Sequence, residues 1–174
     1  MSRKKRGQVW VETVTYTLVA LVMIGLILAF AKPKIEEMRD KVLIEQSLGM
    51  IKDIDQTIFE VGEDTAGNKR KLEITIKKGL LEIDGENNTI TFAIESKNQY
   101  SEPGQIYVEG NLRILTTEKG KYNEVTMVRN YTGEYDILYK NENATKIITS
   151  ASNQYNFFIT NNGGSSKQIN IEIE

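Results

Sequence analysis

The chain has 174 residues, a formal net charge of −2, no cysteine and no histidine. That length suits one ordinary domain plus an extension. The missing residue types exclude disulfides, thiolate nucleophiles and the commonest general base and zinc ligand, and the near-neutral charge gives no sign of a nucleic-acid partner.

Charge is unevenly placed. Residues 1–7 hold four of the 22 basic side chains, Arg3, Lys4, Lys5 and Arg6, and no acid. After Gly7 the sequence turns apolar, and from Val9 to Ala31, VWVETVTYTLVALVMIGLILAFA, the only charge is Glu12. A helix of that length covers roughly 35 Å, enough to cross a hydrocarbon core of about 30 Å. No polar stripe runs through Leu18 to Ala31, as a soluble core helix would show. The basic cluster predicts a cytoplasmic N-terminus with everything after Lys32 outside, and Trp10 and Tyr16 suit the inner interface. A secretory signal would use Ala29 to Ala31 as its small-x-small site, but the apolar run exceeds the roughly 7–15 residues of such signals. A permanent signal anchor leaves Gly7 and Glu12 without a role.

The stretch KKRGQVWVETVTYTLVALVMIGLILAF gives every one of these residues a role, and it resembles the class III signal peptide of archaeal type IV pilins. The resemblance covers about the first thirty residues. It implies a basic leader, Arg3, Lys4, Lys5 and Arg6, read by a membrane-embedded prepilin peptidase that cuts between Gly7 and Gln8. Gln8 would be the first mature residue and Glu12 the fifth, and the apolar segment would survive the cut. Val9-Trp10-Val11 departs from the family, where small residues are commoner. Archaellins share the processing but usually begin with more glycine. The resemblance further implies a filament built from copies of this chain or related pilins, an assembly platform with its ATPase, and a membrane-inserted stage before assembly. Within such a filament Glu12 would pair with a cation such as a neighbour's Gln8 α-amine, fixing register, because an unpaired carboxylate in a low dielectric is penalised; the alternative is a carboxylate that sits in the headgroup layer.

Past the span, Pro33 is a candidate kink. Ile35, Met38, Val42, Ile44, Leu48, Ile51, Ile54, Ile58 and Val61 then recur mostly at steps of three and four, predicting an amphipathic helix that Gly62 stops. Its stripe must be buried on the chain's own head or on neighbouring helices. The expected organisation is a leader at 1–7, a transmembrane or filament-core helix at 8–31, its amphipathic continuation at 32–62, a polar linker at 63–71 and a β-rich extracellular head at 72–174. Glu63 and Asp64 in the linker lack the spacing of a calcium loop.

In the head the period changes to two. KLEITIK alternates Leu72, Ile74 and Ile76, and GLLEIDGENNTITFAIES predicts two strands around a DGENN turn with Ile90, Phe92 and Ile94 on one face. Further strands are predicted in QIYVEGNLRIL, YNEVTMVR, EYDILY, TKIITSA, YNFFIT and KQINIEIE. Eight or nine short strands argue for an antiparallel β-sandwich-like head, so the fold class is α+β.

No catalytic constellation emerges, and neither a cofactor nor a metal is implied. Without histidine or cysteine the common triads are impossible, acids such as Glu102 and Glu109 suit exposed strands and loops, and Gly163-Gly164 predicts a hairpin turn. The tyrosines Tyr100, Tyr107, Tyr122, Tyr131, Tyr135, Tyr139 and Tyr155 divide between core and surface in a way the sequence does not specify. Three N-glycosylation sequons stand out at Asn87, Asn130 and Asn143, in predicted turns and at a strand end. The function expected is a structural pilin of a surface filament used in adhesion. The competing expectation is a membrane-anchored extracellular β-sandwich binding module that never polymerises, and an exported enzyme ranks third.

Overall fold

The computed structural model describes residues 3–164 and 167–174, with side chains from Val9 onward. One α-helix, α1 (Arg3–Glu63), is followed by ten strands among the described residues: β1 (Lys69–Ile74), β2 (Leu80–Asp84), β3 (Thr89–Ser96), β4 (Ile106–Glu109), β5 (Leu112–Lys119), β6 (Tyr122–Asn130), β7 (Asp136–Tyr139), β8 (Thr145–Thr149), β9 (Tyr155–Gly163) and β10 (Gln168–Ile173). Pro33 lies inside α1 without ending it. The chain divides into two compact units, Met1–Arg39 and Asp40–Glu174.

The second unit is α+β, with two sheets and the last turns of α1 sharing one core. The smaller sheet has the order β1-β9-β10-β7 and the larger β4-β5-β6-β3-β2-β8. Alternation explains which residues face inward. Ile90, Phe92 and Ile94 of β3 are buried, as are Leu81 and Ile83 of β2, Val125 and Met127 of β6, and Phe157 and Ile159 of β9. Period-two burial is what a half-buried strand requires. All pairings are antiparallel except β10 with β7, which is parallel from Gln168–Asp136 to Ile171–Tyr139. The chain leaves β7 for the larger sheet as β8, then returns through β9, so β10 enters alongside β7 in the same direction. This one parallel pair in the antiparallel-rich head follows from a long crossover, the connection a parallel pair needs.

Two expectations change. QIYVEGNLRIL holds two strands, β4 and β5, joined by the two-residue loop Gly110-Asn111, where Gly110 has φ +61°. A glycine first in a two-residue loop suits the hairpin turns whose twist matches the strands. The helical stripe also breaks. Ile44, Leu48, Ile51, Ile54, Ile58 and Val61 are buried, whereas Ile35, Met38 and Val42 are exposed. The step of two from Val42 to Ile44 turns the apolar face about 200° around the helix, so Val42 lies opposite Ile44.

Polar contacts fix the helix on the sheets. Asp40 is buried where the chain passes into the second unit; it accepts the Lys97 backbone N–H at 2.7 Å and the Lys78 ammonium at 3.0 Å. Arg129 of β6 is buried and donates to Asp55 at 2.6 Å and to Glu134 at 2.5 Å, with its guanidinium over the Tyr131 ring at 4.3 Å. The Tyr131 hydroxyl is buried with no protein hydrogen-bond partner, and burial pushes it far above the ordinary tyrosine range. Asn161 of β9 donates to the carbonyls of Val61 and Asp64, both at 3.0 Å, and so satisfies groups that a helix end leaves open. Gly62 is inside the last turn and does not act as the stop. A Cβ there would lie 2.3 Å from the Tyr135 ring, so the residue is small to admit Tyr135.

The core cluster includes the six buried side chains of α1. At roughly 1.5–3 kcal/mol each, their burial is of the same order as the about 5–15 kcal/mol net stability of a domain. Residues 40–174 expressed alone should therefore unfold cooperatively, and residues 72–174 should not; thermal melts followed by near-UV circular dichroism distinguish them. Arg129→Ala is expected to destabilise the 40–174 fragment by about 3 kcal/mol, the lower end for breaking a buried pair, since Asp55 keeps some solvent contact.

Candidate functional site

The first unit presents an apolar surface with no protein cover. Every large apolar side chain from Val9 to Phe30 is 46–78% exposed. Each would gain roughly 1.5–3 kcal/mol on leaving water, so the segment needs another phase or another chain around it. Among the described residues, α1 is the one helix long and apolar enough to cross a membrane.

Its few polar groups are suited to such surroundings. Thr13, Thr15 and Thr17 donate to the carbonyls four residues back, Val9, Val11 and Thr13, at 2.9, 2.8 and 2.8 Å. Their hydroxyls thus need no water. Glu12 has no such local solution: it is exposed and makes no hydrogen bond or ion pair with any described residue. Its partner in a low dielectric must come from elsewhere. The backbone of residues 3–8, with the expected cleavage position Gly7, belongs to α1, while the side chains of Arg3, Lys4, Lys5, Arg6 and Gln8 lie outside the described residues.

No group of three or more carboxylates able to hold a metal occurs among the described residues. Glu63 pairs with Lys167 at 2.8 Å, and that bond and charge hold its carboxyl below the usual range. Asp64 accepts the Thr65 N–H at 3.0 Å and the Asn68 amide. Glu109 pairs with Lys52 of α1. An open cleft of about 550 Å³ is lined by Phe59, Glu63, Glu134, Tyr135 and Lys167, and its Glu63 and Glu134 are both committed to cations.

The tyrosines of the head form three groups, and Tyr100, Tyr139 and Tyr155 are half-buried. Tyr131 and Tyr135 belong to the core; Tyr107 and Tyr122 are exposed, the former beside Ile106 and Val108 on the edge strand β4. Sequence reasoning did not single out Asp40, Arg129 or Asn161, whose importance depends on partners distant in the chain. The sequon asparagines lie where turns were expected: Asn87 between β2 and β3, Asn130 at the end of β6, Asn143 just before β8, all exposed.

No family model matches the chain, and no curated protein or solved structure matches it either. Fold and surface together define an α+β protein with a β-sandwich-like head that follows one long apolar helix able to span a bilayer.

The exposed span has a direct physical consequence. Full-length protein should sediment with membranes and resist alkaline carbonate extraction, while residues 40–174 should stay in the supernatant; ultracentrifugation with immunoblotting reads both.

Proposed function

We propose that this protein is the structural subunit of a type IV pilus-like surface filament that serves attachment. It would be made as a precursor, cut after Gly7 by a prepilin peptidase and assembled by a platform and its ATPase. The observation that carries the proposal is the exposed apolar helix from Val9 to Phe30 with one carboxylate at its start, Glu12, that pairs with no described residue. A bilayer alone would satisfy the apolar side chains but not Glu12, whose cost there rises with depth. A bundle of identical helices satisfies both. Apolar faces pack on one another, and the Gln8 α-amine of one subunit lies within reach of the carboxylate of the next.

In this mechanism the two halves of the chain have separate tasks. The leader, Arg3 to Arg6, orients insertion and marks the cut. Removal of residues 1–7 exposes a new cation at Gln8, four residues from Glu12. Apolar packing tolerates axial sliding, whereas the ion pair does not, so the pair selects one subunit offset. The head stays outside as the filament surface.

Two measurements test the proposal. Mass spectrometry of the native protein should place its N-terminus at Gln8 with a free α-amine, since cyclisation would remove the cation proposed to pair with Glu12, and Gly7→Val should leave the precursor uncut. A mature chain beginning at Lys32 would instead indicate simple secretion. Glu12→Gln should be cut and inserted normally, yet yield at least tenfold fewer filaments by electron microscopy. Regular filaments in wild-type number would show that Glu12 is only an interfacial acid.

A further inference from the structure

The three sequons are far apart in the chain but meet in the fold, around the turn from Asp84 to Thr89. Thr89 pairs across the ladder with Asn130. Thr132, the hydroxyl residue of that second sequon, donates to the Asn87 carbonyl at 3.3 Å. The third sequon approaches from the other side: Gly85 N–H donates to the Ala144 carbonyl at 3.2 Å, and the Thr145 hydroxyl reaches Asp84 at 3.4 Å. Each sequon thus touches the same short turn.

The turn's internal chemistry leaves these asparagines free for another task. Asn88 does the structural work: it has φ +52°, its side-chain oxygen accepts the Ile137 N–H at 2.7 Å, and its carbonyl accepts the Tyr131 N–H at 2.8 Å. Asn143 makes no side-chain hydrogen bond with a described residue. Asn130 uses only its oxygen, accepting the N–H of Thr132 at 2.8 Å, which leaves Nδ2 open. Asn87 donates from Nδ2 to Asp84 at 2.6 Å, and an N-substituted amide keeps one N–H to do so. The turn also lies at the far end of β3 from Ser96, whose neighbour Lys97 binds Asp40, so it is roughly 23 Å along the strand from where α1 joins this unit.

We propose that Asn87, Asn130 and Asn143 are glycosylated together and form one composite sugar cap on this pole of the head. It rests on the reading that the head is exported. The donor class required is a saccharide activated as a phosphate ester of a lipid carrier, used by a membrane transferase. In each transfer Nδ2 attacks the anomeric carbon. The bond from that carbon to the carrier phosphate oxygen breaks, the phosphate leaves with the electron pair, and one amide proton passes to a base of the transferase. The hydroxyl residue two positions on, Thr89, Thr132 or Thr145, is what the transferase reads. Three neighbouring saccharides would hydrate and cover this end of the head.

The test uses full-length protein from the cells that make it. Intact mass and glycopeptide spectra should exceed the sequence mass by three saccharide increments. Asn87→Gln, Asn130→Gln and Asn143→Gln should remove one each. Thr132→Ala should abolish the Asn130 increment, and Thr132→Ser should restore it, which separates recognition of the sequon from any effect of the asparagine on folding. Protease added to intact cells reports export independently. A head that is digested from outside yet carries the bare sequence mass, or an increment at only one of the three sites, would overturn the cap while leaving export intact. A head protected from external protease would overturn the export reading and the cap with it.

Discussion

Burial of the Ile44–Val61 face of α1 is the constraint on which the rest of the head depends. Six aliphatic side chains at helical spacing enter the same core as both sheets. The polar contacts at either end are subordinate to that burial and fix its position. Asp40 ties the start of the buried stretch to Lys78 and Lys97, Arg129 holds Asp55 near its middle, and Asn161 closes the last turn. The helix is therefore part of the head's core, not a stalk attached to a finished domain. Gly62 belongs to the same logic, since only a residue without Cβ lets Tyr135 lie against the last turn.

The large apolar side chains of the same helix from Val9 to Phe30 are all exposed. Its surface from Leu18 to Phe30 is apolar on all sides. A second exposed set follows in sequence, Ile35, Met38 and Val42. A membrane explains the first set but not the second, which follows the basic Lys32 and Lys34. Neighbouring copies packed side by side would cover both sets. This is the physical reason for preferring a filament subunit to a solitary anchor, and Glu12 adds the need for a charged partner at a defined height.

Much of the architecture was legible because it is written locally. The single charge in Val9–Ala31, the alternation in Ile90, Phe92 and Ile94, and the turn signals around Asn87 each depend on neighbours in sequence. The rest depends on what meets across the fold. The Gly110-Asn111 turn signal was present, but the apolar residues on both sides gave the appearance of one long strand. The parallel pairing of β7 with β10 arises only from the route of β8 and β9. The rotation of the helical face between Val42 and Ile44 was visible in the spacing, yet a run of threes and fours masked the single step of two. Arg129 stands in a predicted strand, and its partner Asp55 lies 74 positions earlier in the chain. The sequons were found one by one, and their convergence on one turn could not be seen without the ladder that sets Thr89 opposite Asn130.

The most direct measurement is a high-resolution structure of the filament purified from cells that make this protein. The helices from Gln8 onward should form its core, with each Glu12 carboxylate within about 4 Å of the Gln8 amine of a neighbouring subunit and the heads outermost. A chain recovered only as membrane-bound monomer, or a filament in which Glu12 faces no cation, would contradict the account.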